Sequence, residues 1–210
     1  MNGVNSTNKK NMRRLINALV FVTLTLINTN SFSYDSDPKT LIKELLDDAV
    51  TILGDKNISI ADKNKKIETI ALQNIDIEAL GMYTLGQVRK NLDSTNLESY
   101  KKLFRKYFLK SLTSRLNDYT SQKFEILGAE QKSETYTIVN SKIIESSTSP
   151  EVKIDWRVYT KDPTKPLIRD LIVEGLSLAR TQKEEFASIL NSNNNDINVL
   201  FAKLEEFIKK

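Results

Sequence analysis

The sequence predicts an α+β domain in which N-terminal helices precede a four-stranded antiparallel sheet and C-terminal helices follow it. The apolar residues repeat at helical spacing between positions 37 and 119, at a period of two between positions 124 and 173, and at helical spacing again after Gly175. Short Ser- and Pro-containing turns separate the strands, which favours an antiparallel meander because parallel strands need long crossovers. One face of this sheet is apolar and must be covered by helices or filled by a ligand.

The first 33 residues have the pattern of a cleavable secretory signal. Four basic residues lie between positions 9 and 14, and an apolar run extends from Leu15 to Ile27, interrupted only by Asn17 and two threonines. Ser31 and Ser33 then provide small residues at a cleavage site. The apolar run is shorter than the roughly 20 residues that cross a bilayer, so we favour cleavage over the alternative, an uncleaved anchor. Residues 34–210 are then expected to form a single exported domain.

Cleavage after Ser33 removes the positive charge of the chain. The whole sequence has 31 Lys and Arg residues and 27 Asp and Glu residues, and the signal contains four of the basic residues and none of the acidic ones. The remaining domain has no formal net charge. Nucleic-acid binding, which needs a surplus of cations, therefore loses its main support.

Cysteine and histidine are both absent from the sequence. Their absence excludes disulfides, thiol catalysis, histidine-dependent catalytic triads and the usual catalytic zinc site. A general acid or base would have to be Asp, Glu, Lys or Tyr.

Six helices are expected from apolar spacing and capping residues. Asp37 provides an N-cap with Pro38 at the first helical position, and Thr95 and Glu98 have capping-box spacing before the longest helix. The expected helices are Pro38–Gly54, Asp62–Leu72, a short helix capped by Asp76, Leu97–Tyr119, Ser177–Leu190 and Ile197–Ile208.

Four segments alternate apolar and polar residues as strands do. They are Phe124–Ala129, Thr135–Ile144, Glu151–Thr160 and Leu167–Val173. The third is the clearest, because its apolar and polar residues separate onto opposite faces. The apolar face carries Val152, Ile154, Trp156 and Val158, and the other carries Lys153, Asp155, Arg157 and Tyr159.

The order and spacing of several segments resemble the MlaC family, also called the toluene-tolerance auxiliary proteins. The strongest segment is Asp170–Leu178, which is similar to that family's pattern of aspartate, apolar residues, Glu-Gly, an apolar residue, serine and an apolar residue. It continues into Thr181–Phe186. The other segments are Leu85–Gln87, the aromatic series Tyr100, Phe104, Tyr107 and Phe108, and the strand Val152–Arg157. The resemblance covers roughly residues 37–208.

The resemblance implies a periplasmic phospholipid carrier without enzymatic activity or cofactor. Members of that family hold the acyl chains of a diacyl phospholipid between sheet and helices. They carry it between an outer-membrane lipoprotein complex, MlaA with a porin, and an inner-membrane ABC transporter with the MCE-domain protein MlaD. We therefore expect an MlaC-like domain at residues 34–210, packed around an apolar lipid cavity. It would act as a monomer that helps to maintain outer-membrane lipid asymmetry.

Apolar residues on the expected sheet face and helices are the candidates for the cavity wall, and each could equally be ordinary packed core. The candidates are Leu80, Tyr83, Leu85, Phe104, Phe108, Tyr136, Ile138, Ile154, Trp156, Val158, Leu171, Val173 and Leu176. We also expect Gly81, Gly86 or Gly175 to let the pocket mouth flex.

Polar residues of the signature have structural interpretations beside functional ones. Asp170 and Glu174 could form a carboxylate pair, but capping and ion pairing are favoured in a chain without histidine. Glu174 is expected near the N-terminus of the following helix, where negative charge is favourable, and Ser177 is expected to be its N-cap.

Basic side chains could meet a lipid phosphate or an acidic partner. Arg157, Arg169 and Arg180 are candidates for the phosphate, although surface ion pairs are the commoner use of arginine. The lysines beside Phe104 are either a solvated helix face or a contact for an acidic partner during docking.

Two other classes of protein fit the same elements. The first is an enzyme on a cone-shaped scaffold of the nuclear-transport-factor-2 type, which the fold alone does not exclude. The second is a periplasmic binding or assembly module with a fully packed interior and only protein partners.

Overall fold

Helices and strands follow one another along the chain in the predicted order. The computed structural model describes residues 33–116, 122–144 and 150–210, so the predicted signal peptide lies, apart from Ser33, outside the described residues. The α-helices are α1 Pro38–Gly54, α2 Ile60–Asn74, α3 Ile77–Thr84, α4 Ser94–Leu116, α5 Leu178–Asn191 and α6 Ile197–Lys209, with a short 3₁₀ turn at Val88–Lys90.

The sheet is an antiparallel meander, as predicted, but it has five strands rather than four. Its strands are β1 Phe124–Ser133, β2 Tyr136–Ile143, β3 Val152–Tyr159, β4 Leu167–Val173 and β5 Leu176–Ser177, and each pairs with the next. The additional strand β5 has two residues, which is too short for a hydrophobic period to reveal.

Local capping residues begin most of the helices. The side chains of Asp37, Asp76 and Ser177 accept hydrogen bonds from backbone N–H groups in the first turns of α1, α3 and α5, as expected. The start of α4 differs from the prediction. Asp93 accepts a hydrogen bond from the Asn96 N–H at 2.8 Å, so the helix begins at Ser94 and not after a Thr95 cap.

A core of helices lies beside the sheet. Helix α3 contacts α4, α5 and β4, and α6 contacts α4 and α5. The buried residues of this helical core are Ile77, Leu85, Tyr100, Phe104, Phe186, Leu190, Ile197, Leu200 and Leu204. Helix α1 packs on β1, β2 and α2. Residues 34–210 form one compact unit.

The start of α3 is attached directly to the sheet. Ile75 forms an isolated parallel bridge with Ile168, and the Asp76 N–H donates to the Ile168 carbonyl at 2.9 Å. These bonds hold the helical core against β4. Within the described parts of the chain, no helix is long and apolar enough to cross a membrane.

Candidate functional site

Four large apolar side chains lie together on one face of β3 and β4. The register pairs Ile154 with Val173 and Trp156 with Leu171, and directly opposite residues in an antiparallel pair lie on the same face. We call Ile154, Trp156, Leu171 and Val173 the apolar quartet. Each of the four is only half-buried, so each presents apolar surface to accessible space.

Burial on this face decreases across the sheet, from β2 toward β5. Val139 and Val158 are fully buried, with no exposed surface, and the quartet beside them is half-buried. Leu176 pairs with Val173 and therefore lies on the same face, where 69 % of its surface is exposed. The quartet and Leu176 together form what we call the apolar track, a continuous row that leads from the core to the protein surface.

The polar edge of Trp156 is satisfied inside the sheet. Its Nε1 donates to Ser141 Oγ at 2.9 Å, and that hydroxyl donates to the Ile154 carbonyl at 3.1 Å. Ser141 is itself buried. Because the indole N–H has a partner, the rest of the ring can serve as apolar surface without a desolvation penalty.

A tight turn carries the track to the surface. Glu174 and Gly175 both have positive φ, at 49° and 82°, which is the pattern of a type I′ hairpin turn. The Glu174 N–H donates to the Lys153 carbonyl at 3.0 Å, and its carboxylate accepts from the Lys153 N–H. Glu174 therefore anchors the hairpin to β3.

Asp170 holds the start of α5 against the sheet. Its buried carboxylate accepts hydrogen bonds from Ser177 Oγ at 2.6 Å and from the Ala179 N–H at 3.0 Å. Ser177 in turn accepts from the Arg180 N–H, which confirms it as the N-cap. Arg157 lies 3.5 Å from the same carboxylate. The polar residues of the Asp170–Leu178 signature thus build a turn and a helix cap.

Arg169 is held on the face of the sheet opposite Trp156, which also carries Arg157. Its guanidinium binds Asp76 Oδ2 through two nitrogens, at 2.7 and 2.8 Å, and donates to the Tyr136 hydroxyl at 3.3 Å. It also stacks on the Tyr159 ring, 3.4 Å from the ring centroid. Arg157 and Arg169 are therefore both used in ion pairs with carboxylates of the same chain.

The register divides the sheet residues predicted for the cavity into two sets. Ile138 pairs with Arg157, and Tyr136 pairs with Tyr159. Both therefore lie on the face opposite Trp156, where Tyr136 binds Arg169. One cavity on one face of the sheet cannot be lined by both sets.

The helical candidates are distributed between core and surface. Leu85 and Phe104 are buried in the helical core, and Leu80 and Phe108 are half-buried against it. The Phe104 ring lies 5.7 to 6.3 Å from the rings of Tyr100, Phe108, Tyr107 and Phe186. Tyr83 is 40 % exposed, and Lys183 Nζ lies 5.0 Å from the centroid of its ring.

A separate groove of about 390 Å³ lies between α2, α3, α4 and the β3–β4 connection. Phe104 is the one residue among the cavity candidates that lines it. We call this the basic groove. Its lining residues are Leu72, Gln73, Ile75, Asp76, Ile77, Glu78, Gly81, Glu98, Lys101, Lys102, Phe104, Arg105, Lys165 and Leu167. The lysines flanking Phe104 in the sequence were the only local signal for it.

The three glycines expected at the pocket mouth have different surroundings. A Cβ on Gly81 would lie 2.8 Å from Phe104 Cδ1, so this glycine allows α3 to pack closely on α4. Gly86 and Gly175 both have positive φ, and a Cβ on Gly175 would meet no atom within 4 Å. Flexing of the mouth at these positions stays a prediction.

Acidic side chains in the described ranges do not gather into a group that could hold a metal ion. The acidic residues near the two candidate sites pair with cations: Asp170 with Arg157, Asp76 with Arg169, and both Glu78 and Glu98 with Lys101. Each joins a carboxylate to a cation, which is the arrangement of a structural ion pair.

Comparison with known proteins identifies the family. The chain has the fold of a phospholipid-binding protein from Ralstonia solanacearum, whose structure was solved in complex with a phospholipid. The two share 19 % sequence identity, with a TM-score of 0.65, and the match covers 80 % of this chain and 94 % of that chain. The family model for the MlaC protein matches residues 43–206. Since this match spans most of the sequence, the chain belongs to the MlaC family.

Proposed function

We propose that this chain is a periplasmic phospholipid carrier whose cargo is a single diacyl phospholipid. The observation that carries the proposal is the apolar track, because half-buried large side chains beside a packed core offer a surface for acyl chains. Membership of the MlaC family and the phospholipid bound to the Ralstonia neighbour support the same cargo. Export removes residues 1–33 and leaves one MlaC-like domain that acts as a monomer and not as an enzyme.

The energy of the cargo dictates how it must be handed over. Two acyl chains contain about 30 methylenes, and each gains about 0.8 kcal/mol on leaving water, so release into water costs roughly 20 kcal/mol or more. Free diffusion of the lipid is therefore negligible. Transfer from bilayer to pocket, in contrast, exchanges one apolar environment for another, so the free energy of this transfer is near zero.

Direct docking to membrane complexes follows from this energy. The partners that we propose are an MlaA-like outer-membrane lipoprotein complex and an MlaD-like MCE protein of an inner-membrane ABC transporter. Shuttling between them would maintain the lipid asymmetry of the outer membrane. Leu176 lies where such a partner would meet the track, because it is the exposed end of the row.

The wall of the lipid cavity is proposed to be the apolar quartet with Val158 and Leu176, joined by the helical candidates Leu80, Tyr83, Leu85, Phe104 and Phe108. Tyr136 and Ile138 can contact the lipid only if acyl chains also occupy the second face of the sheet.

The identity of the cargo can be tested on the purified protein. Native mass spectrometry, followed by extraction with organic solvent, should show one diacyl phospholipid per chain. A protein that is repeatedly free of lipid would favour the packed assembly module.

The position of the cargo can be tested with the only tryptophan of the chain. Protein loaded with a phospholipid brominated on its acyl chains should lose most of its Trp156 fluorescence, because bromine quenches on contact. The matched control is the double variant Trp156→Phe, Tyr159→Trp, which moves the indole by three residues, about 10 Å along β3, to the opposite face. Strong quenching only in the control would place the lipid on the face of Tyr136 and Ile138.

A further inference from the structure

The lining of the basic groove combines exposed cations with apolar residues, of which Ile77 and Phe104 are buried. Lys102 and Arg105 project from α4, and Lys165 comes from the β3–β4 connection, so two elements contribute the positive charge. All three side chains belong to exposed residues. Within the described residues, none of the three has an ion-pair partner closer than 4 Å.

The three acidic residues of the groove already have ion-pair partners. Glu78 and Glu98 both lie 2.9 Å from Lys101 Nζ, and Asp76 binds Arg169. Counting the lining residues together with Arg169, the groove has five cationic and three acidic side chains, which is a surplus of two positive charges. This local surplus contrasts with the neutral domain that the predicted cleavage leaves.

Acyl chains are a poor match for this groove. Its volume of about 390 Å³ lies near the lower end of the range for small-ligand sites, and a diacyl lipid is much larger. Charged side chains also alternate with apolar ones along its wall. The groove is therefore distinct from the apolar track, and its occupant must combine negative charge with a small apolar contact.

We propose that the basic groove docks an acidic peptide segment, with an apolar anchor, of a membrane partner. Its carboxylates would meet Lys102, Arg105 and Lys165, and its anchor would cover Leu72, which is 40 % exposed, and Leu167. A lone phosphate would satisfy the cations but leave this apolar surface uncovered, whereas a peptide covers both. The inference extends the proposed carrier function, which requires docking, but peptide binding itself does not depend on the lipid.

Fluorescence anisotropy with a short synthetic peptide of glutamate and leucine tests the proposal on the purified protein. The same peptide with glutamine at every glutamate position is the ligand control. The double variant Lys102→Ser, Lys165→Ser removes one cation from each side of the groove. The matched double variant Lys106→Ser, Lys161→Ser removes two exposed lysines from the same two elements, outside the groove.

The groove variant should bind the acidic peptide about fivefold or more weakly, and the matched variant should bind it as the unaltered protein does. Binding should also weaken as ionic strength rises to about 0.15 M, where the Debye length is ~8 Å. The proposal would be overturned if both double variants bound the acidic peptide equally well, or if the glutamine peptide bound as tightly as the acidic one. Displacement of the peptide by an equal concentration of inorganic phosphate would instead indicate a simple anion site and overturn it too.

Lipid content separates this inference from the carrier function. Native mass spectrometry of the groove variant should show the same lipid stoichiometry as the unaltered protein. If the peptide does not bind while the lipid is retained, the docking proposal fails and the carrier proposal stands. Absence of lipid from the unaltered protein would remove the carrier proposal regardless of the peptide result.

Discussion

Replacing Leu171 by asparagine tests whether the apolar quartet holds the cargo. Leu171 is half-buried opposite Trp156, and asparagine has a similar size but carries an amide. In lipid-free protein, the amide can reach water, and the lost burial costs about 1 kcal/mol of unfolding free energy, about half the value for a fully buried leucine. In lipid-loaded protein, the acyl chains would cover the amide without giving it a hydrogen-bond partner.

The unpaired amide adds about 1–3 kcal/mol to the free energy of the lipid complex. Because the free energy of lipid transfer from bilayer to pocket is near zero, this penalty directly lowers the fraction of protein that carries lipid. A difference of 1.4 kcal/mol is a factor of ten, so the ratio of loaded to empty protein should fall about 5- to 150-fold.

Equilibration with phospholipid vesicles, followed by separation and quantitation of lipid per protein, measures this ratio. The matched control is Leu127→Asn, at a leucine on β1 that is 52 % exposed and away from the track. Urea denaturation verifies that both variants remain folded. If Leu171→Asn carries as much lipid as the control at every vesicle concentration, the quartet does not hold the cargo.

Other predictions follow from the same structure. Leu176→Glu should slow lipid transfer between vesicles while changing the unfolding free energy by less than about 0.5 kcal/mol, because the residue is 69 % exposed, and Leu127→Glu should leave transfer unchanged. Asp170→Ala should lower the unfolding free energy by about 2–4 kcal/mol, measured in urea, because Ser177 and the Ala179 N–H lose their buried acceptor; an effect below about 0.5 kcal/mol would contradict the capping role. Burial raises the pKa of Tyr100 well above its usual value, so the stability from its neutral form is present below about pH 10 and is lost as the pH rises further. Denaturation of Tyr100→Phe across this range should show a smaller loss.

Helices with their own capping residues could be predicted from the sequence because capping is local. Asp37, Asp76 and Ser177 each bind an N–H within three residues, so the contact is visible in the chain order. The start of α4 was misplaced for a related reason. Asp93, Ser94 and Thr95 are three consecutive residues that all suit an N-cap, and spacing alone does not show that Asp93 is the one used.

The faces of the sheet were harder to predict than its strands. β3 separates apolar from polar residues, but β2 has apolar residues at both Ile138 and Val139. A change of one residue in register exchanges the faces, so periodicity alone could not show that Val139, and not Ile138, lies beside Trp156. The basic groove was less predictable still, because its cations come from residues more than fifty positions apart.

The distribution of charge connects the proposed cargo site with the proposed docking site. With the predicted cleavage after Ser33, the domain has 27 basic and 27 acidic residues, so it has no bulk attraction to anionic membranes. The surplus of the basic groove is local and would orient the protein only at distances of about 8–10 Å at physiological ionic strength. A carrier built in this way would not adhere to bilayers between deliveries. Only a partner that presents an acidic segment would hold it long enough for acyl chains to pass along the apolar track.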